Sequence, residues 1–206
     1  MQNDANQYMN YYELDFFGLK RKLPLTYISR TKRIANFNIL GDVEFTEKAG
    51  EEMEKKLREK HLIPDCFVGP GTHIVSFVHH MAKRFHQNRY VLLRKGIRGY
   101  MTSPMVEEPW RYAPKHARKL VVNGSDREFL KGKKVILVDD VVSTGATMSI
   151  FSNLMRKLGV EVIAKIALFR QGDQYQGDLI YLKQLPIVED SKKADNDPVD
   201  RTKDAV

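Results

Sequence analysis

The stretch Val135-Ile-Leu-Val-Asp-Asp-Val-Val-Ser-Thr-Gly-Ala-Thr147 constrains this chain more than any other. An apolar run of strand length ends in two carboxylates. A short turn then opens a helix over residues 147–158, with Phe151, Leu154, Met155 and Leu158 inward. Strand, tight turn and helix in that order aim the amides of Ser143, Thr144, Gly145, Ala146 and Thr147, with the positive end of the helix, at one place. The result is an anion cradle the size of one phosphate. Ser143, Thr144 and Thr147 add hydroxyl donors, and Gly145 permits close backbone approach or a positive φ. Asp139 and Asp140 stand where carboxylates can accept hydrogen bonds from vicinal hydroxyls or hold hydrated magnesium. Phosphate in the turn and diol on the acids together describe a ribose 5-phosphate.

Other readings of the fragment fare worse. The magnesium strand of a P-loop ATPase needs a G-x-x-x-x-G-K-[ST] segment, and the chain has none. The acid pair of a receiver domain belongs on a first strand, whereas this pair lies past residue 130. An ordinary strand-turn-helix corner would not hold thirteen positions in register.

The flanking sequence supplies a frame. Thr46 reads as a helix N-cap before Ala49, Met53 and Leu57, and residues 66–68 as a buried strand. Ile74, Phe77, Val78, Met81 and Phe85 recur at helical spacing, and residues 90–93 form a second strand. Residues 95–119 form a long stretch broken by Gly96, Gly99, Pro104, Pro109 and Pro114, and loops of that length are usually functional. A strand over 120–122 and a turn at Asn123-Gly124 lead to the motif, Gly159 stops its helix, and strands follow over 162–169 and 179–182. Strands alternating with helices predict an α/β fold, a mostly parallel twisted sheet with helices on both faces, binding ligands beyond the strands' carboxyl ends. Residues 1–19 read as an N-terminal extension and 190–206 as a disordered tail.

Charge agrees with an anionic ligand. The net charge is +8, yet residues 83–134 carry 14 Lys+Arg against 4 Asp+Glu, so one segment holds the whole excess. That segment has no zinc-finger spacing, basic helix leading into heptads or aromatic RNA-binding signature, so nucleic acid is not the expected partner. Cys66 is the single cysteine, which excludes an intrachain disulfide and a four-cysteine zinc site. Apolar runs too short to span a bilayer, and a start without a basic-then-apolar pattern, predict a soluble intracellular protein without membrane partners.

The segment 135–147 closely resembles the phosphoribosyl pyrophosphate (PRPP) signature of type I phosphoribosyltransferases. Val91-Leu-Leu-Arg-Lys-Gly-Ile-Arg-Gly-Tyr-Met101 is similar to the segment entering the mobile loop of adenine phosphoribosyltransferases. Ile34-Ala-Asn-Phe-Asn-Ile-Leu-Gly-Asp42 resembles the purine-binding hood of archaeal-type members. The resemblance covers about residues 20–186 and implies a phosphoribosyltransferase domain over 20–189, with a small hood over 20–45 and a mobile loop over 96–118. Asp139 and Asp140 would hold the ribose hydroxyls and a Mg2+ bound with PRPP, and Ser143 to Thr147 the 5-phosphate. Arg94, Lys95 and Arg98 would reach the pyrophosphate, with Arg98 standing where lysine is usual. The base would meet Phe37, Asn38, Ile39 and Leu40. A cytoplasmic homodimer is implied as well.

The chain also departs from the family. Where the pyrophosphate loop usually reads Glu-Ala-Arg/Lys-Gly, this chain has Gly69-Pro70-Gly71-Thr72-His73, without the acid and the basic residue. Gly69 and Gly71 still permit a tight loop delivering amides to an anion, and His73 is either a pyrophosphate donor or a helix-start residue. Ser143 stands where 6-oxopurine enzymes carry an aspartate facing N7, which argues against hypoxanthine and guanine. Adenine enzymes carry a mobile-loop glutamate instead. Glu107 and Glu108, the only acids between Lys95 and Lys119, are therefore the catalytic candidates, each also readable as a solvated loop residue. Trp110 and Tyr112 either shield a closed site or pack the loop down. His61, His79, His80, His86 and His116 have no metal spacing and no assigned role. The expected activity is transfer of phosphoribose from PRPP to a purine, adenine preferred. A non-catalytic PRPP-binding regulator on the same fold is the runner-up.

Overall fold

A computed structural model of the chain describes residues 11–115 and 117–189. The expectations for His116, for residues 1–10 and for the tail from 190 lie outside the described residues. The first half of the chain forms β1 (Tyr11–Phe16), β2 (Leu19–Tyr27), β3 (Lys32–Ala35), α1 (Val43–Glu59), β4 (Cys66–Pro70), α2 (Val75–Arg84) and β5 (Val91–Leu93). The rest forms β6 (Met105–Glu107), β7 (Leu120–Val122), α3 (Gly124–Leu130), β8 (Lys134–Val142), α4 (Ala146–Lys157), β9 (Glu161–Gln171), β10 (Ile180–Leu185) and β11 (Ile187–Glu189). These elements divide into two compact units.

Among the described residues the smaller unit comprises 11–38 and 185–189. Its sheet has the order β1-β2-β3-β11 with antiparallel pairing throughout. β1 and β2 meet from Tyr11↔Pro24 to Phe16↔Leu19. The turn between them is Phe17-Gly18, with φ of 50° and 91°, the doubly left-handed geometry that matches strand twist. Two expectations change here. Residues 11–19 are not an extension but a strand and turn of the hood sheet, and the last hood strand comes from residues 187–189 rather than from 20–45.

The larger unit runs from Ile39 to Gln184 and carries a five-stranded sheet ordered β10-β9-β8-β4-β5. β5, β4, β8 and β9 are parallel neighbours. On one face Cys66, Val68, Val135 and Leu137 share a core with Phe151, Leu154 and Met155 of α4. Alternation sends Phe67, Ile136 and Val138 to the other face, all fully buried, and Phe67 there meets Phe85 at the end of α2 edge to face. A strand buried on both sides reads as the continuous apolar run seen in β8. The centre of the sheet therefore delivers Asp139 and Asp140 to its carboxyl edge.

Helix α1 begins four residues before the expected start. Its N-cap is Asp42, whose side chain accepts the Phe45 amide at 3.0 Å. Thr46 is a buried first-turn residue, its hydroxyl donating to the Asp42 carbonyl at 2.8 Å. The Asn123-Gly124 turn is the start of α3, with Asn123 as cap. The long loop is not structureless, since β6 within it pairs with β7 from Met105↔Val122 to Glu107↔Leu120.

Cys66 lies fully buried in β4, its thiol donating to the Phe67 carbonyl at 3.3 Å. Burial pushes its pKa up to about 12, which leaves almost no thiolate at neutral pH. A thiol reagent such as DTNB should leave the native protein unlabelled over minutes and react with one equivalent in denaturant. Rapid native labelling would contradict this burial.

Candidate active site

The turn after β8 is built around Gly145, whose φ of 75° and ψ of 11° place it in the left-handed region immediately before α4. A Cβ at this position would lie 2.0 Å from Cδ2 of Tyr175, so the ring of Tyr175 packs directly on the glycine. The N-cap of α4, Gly145, has no side-chain cap bond, and the first helical amide, Ala146, makes only a long bond to Thr144 Oγ1 at 3.4 Å, which an anion can replace. Asp139, Ser143, Thr144, Gly145 and Thr147 help line a hollow of about 110 Å³ there. It adjoins a second hollow of about 190 Å³ through the shared residues Asp139, Val141 and Thr147. A phosphate-sized cradle thus opens onto an acid-lined space.

Asp139 is 6% exposed. Its Oδ1 accepts the Asp140 amide at 3.0 Å, and Asp140 Oδ1 accepts the Val141 amide at 2.9 Å. Burial, and then the neighbouring Asp140 carboxylate, push the Asp139 carboxyl well above the usual range, with Lys95 opposing. Among the described residues no cluster of three His, Cys, Asp or Glu side chains is placed to hold a metal. A cation here would meet at most two protein carboxylates and draw its other oxygens from substrate and water. That donor set fits Mg2+.

The chain matches the family model of the phosphoribosyl transferase domain over residues 39–200. It belongs to that family. The hypoxanthine/guanine phosphoribosyltransferase of Methanobacterium lacus is 37% identical over 84 residues, 41% of this chain and 40% of that one. The adenine phosphoribosyltransferase of Mycobacterium avium is 29% identical over 92 residues, 45% of this chain and 48% of its own. The chain therefore spans less than half the length of these curated relatives. Among solved structures, the adenine phosphoribosyltransferase of Thermoanaerobacter pseudethanolicus superposes with a TM-score of 0.58 at 21% identity, covering 85% of this chain and 96% of that one. That of Leishmania tarentolae gives 0.59 at 17%, covering 85% and 84%. At those identities the likeness is one of fold.

In this phosphoribosyltransferase fold the residues expected at the pyrophosphate separate into two groups. Pro70, Thr72, His73 and Lys95 line the acid-bearing hollow. His73 is half-exposed, its Nδ1 3.9 Å from Asp140 Oδ2. Arg94 does not line the hollow. Its Nη1 donates to the Gly71 carbonyl at 3.3 Å, and a Cβ on Gly71 would lie 2.9 Å from that nitrogen. Gly71, standing in the family's loop, is thus the seat for Arg94, which braces the loop. Arg98 is exposed outside the hollow, its amide donating to Met101 Sδ. Gly69 is a buried residue of β4. Arg118, unassigned from the sequence, lines the hollow beside Lys95.

The two glutamates also part. Glu107 is buried in β6, and its Oε2 accepts from Lys157 Nζ at 2.6 Å. Lys157 ends α4, about 18 Å along the helix from Gly145 at 1.5 Å per residue. The structure therefore does not bring Glu107 to the hollow; it ties the loop to the far end of α4. Glu108 is exposed, 3.9 Å from Lys119. The four residues expected at the base are split: Phe37 and Asn38 belong to the smaller unit, Ile39 and Leu40 to the larger. Ile39 is buried, and Leu40 lines another hollow, with Val43, Val75, His79 and Tyr90. Trp110 and Tyr112 are both exposed.

Two outcomes test the site. Because the folded-state pKa of Asp139 is raised, the fold holds more protons than the unfolded chain, and its stability falls as pH climbs from the ordinary aspartate range through the raised value. Asp139→Asn should melt higher than wild type at neutral pH with a flatter pH dependence, while Asp139→Asn with Asp140→Asn should lose the thermal shift that PRPP gives wild type. Equal PRPP shifts would remove the acids from the site. Gly145→Ala must enter a left-handed conformation that costs about 1–2 kcal/mol and displace Tyr175. Urea unfolding should report at least that loss, and ribose 5-phosphate binding should fall with it.

Proposed function

We propose that this chain transfers the 5-phosphoribosyl group of PRPP to a purine base, releasing pyrophosphate and forming a nucleoside 5-monophosphate. The observation that carries the reading is the uncapped turn at Gly145 opening onto the hollow bearing Asp139 and Asp140. The turn's amides hold the 5-phosphate, and the two acids accept from the ribose hydroxyls. The ring nitrogen of the base attacks C1 as the bond from C1 to the pyrophosphate oxygen breaks. Positive charge then grows on the ribose beside the two acids, and negative charge leaves toward Thr72, His73 and Lys95. Mg2+ travelling with PRPP would be held by Asp139 and Asp140 and would neutralise part of the leaving group's charge. A cytoplasmic homodimer is part of the same reading.

Adenine is the proposed base. The curated relatives divide between adenine and 6-oxopurine enzymes, so the choice rests on Ser143, a hydroxyl that cannot exchange a proton with N7 as an aspartate can. With Glu107 held by Lys157, Glu108 is the loop acid left to serve the base. PRPP and Mg2+ with adenine, hypoxanthine, guanine or xanthine should release pyrophosphate fastest with adenine. Glu108→Gln should lose about 10²- to 10⁴-fold in turnover while still binding PRPP, and Glu107→Gln should not. Faster turnover of a 6-oxopurine would overturn the choice of base. Tight PRPP binding with no base consumed would favour a PRPP-binding regulator, the reading to which the altered Gly69–His73 loop lends support.

A further inference from the structure

The hollow beside Asp139 and Asp140 has a charge problem that the expected residues do not solve. Pyrophosphate brings several negative charges to a space that already holds two carboxylates. The family's basic loop residue is absent. Arg94 is committed to Gly71, and Arg98 lies outside the hollow. Of the permanent cations, Lys95 and Arg118 line it.

Arg118 is held by main-chain carbonyls rather than by a neighbouring acid. It stands two residues before β7, where Leu120 pairs with Glu107 and Val121 exchanges hydrogen bonds with Arg94 at 2.9 and 2.7 Å. Its Nη1 donates to the carbonyls of Lys115 and Ala117 at 2.7 and 3.4 Å, which fixes the plane of the guanidinium through main-chain acceptors. Among the described residues no carboxylate forms an ion pair with it. A guanidinium anchored through one nitrogen keeps other N–H groups to fork onto phosphate oxygens.

We propose that Arg118 binds the pyrophosphate group directly, supplying from the end of the long loop the cation that the Gly69–His73 loop lacks. The proposal rests on the PRPP reading above and adds to it a residue outside the PRPP signature and the altered loop.

Titration calorimetry with inorganic pyrophosphate and with ribose 5-phosphate, both in Mg2+, tests it on the full chain. Arg118→Gln should weaken pyrophosphate at least about tenfold, the order of one charge-assisted hydrogen bond, and leave ribose 5-phosphate within twofold. Arg118→Lys should recover part of the loss. A thermal melt unchanged from wild type, as the exposed side chain predicts, separates this from a folding defect. Pyrophosphate binding equal to wild type, or equal losses for both ligands, would overturn the role of Arg118. A wild-type protein that binds neither PRPP nor pyrophosphate would instead overturn the PRPP reading, and this proposal with it.

Discussion

The contact between Tyr175 and Gly145 fixes the turn on which the rest of the candidate site is built. The left-handed residue turns the chain from β8 into α4 within one step, so the acids at the strand end and the first amides of the helix face a common space. A side chain at 145 would meet the Tyr175 ring and force the turn apart. Tyr175 is itself held from β9, since Arg170 Nη2 donates to its carbonyl at 3.1 Å. The cradle is thus built by consecutive pieces of the larger unit that each constrain the next.

Asp139 shows what such a site demands of the core that carries it. β8 is apolar on both faces because it is the central parallel strand, and the same burial that stabilises it raises the pKa of the carboxyl at its end. Lys95 opposes that shift weakly. Position 139 is therefore an unfavourable place for charge, and ribose hydroxyls or a hydrated cation are what would relieve it. A fold optimised for stability alone would place an asparagine or an aliphatic residue there.

Legibility followed the period of burial. β4, β7, β8, α2 and α4 are readable because each carries one unbroken pattern of apolar residues, and the turn from β8 into α4 because its glycine follows closely on the strand-end acids. The hood hairpin was not, since Lys20-Arg21-Lys22 gives β2 no alternation and its turn puts Phe17 at a positive φ that no residue preference announces. The start of α1 was misplaced because Thr46 is as good a cap residue as Asp42, and only the Phe45 amide distinguishes them. Glu107 and Arg118 could not be sorted from their own neighbourhoods. The partner of Glu107 lies 50 positions away on α4, and the place of Arg118 is set by a β7 ladder inside a stretch rich in proline and glycine.

The excess charge of residues 83–134 shows why a net charge locates a site only coarsely. Arg84 pairs with Glu54 across α2 and α1, Arg89 pairs with Asp126, and Lys131 pairs with Glu128. Arg89 and Lys133 also lie over the ring of Phe129. Arg94 braces a loop through a main-chain carbonyl. These cations serve packing and would do so whatever the ligand. Lys95 and Arg118 instead line the hollow that holds the acids, with His73 adding charge only when protonated. The electrostatic field of the segment is made by all of its charges together. Any selectivity for one phosphate arrangement over another would fall to the few groups that line the hollow.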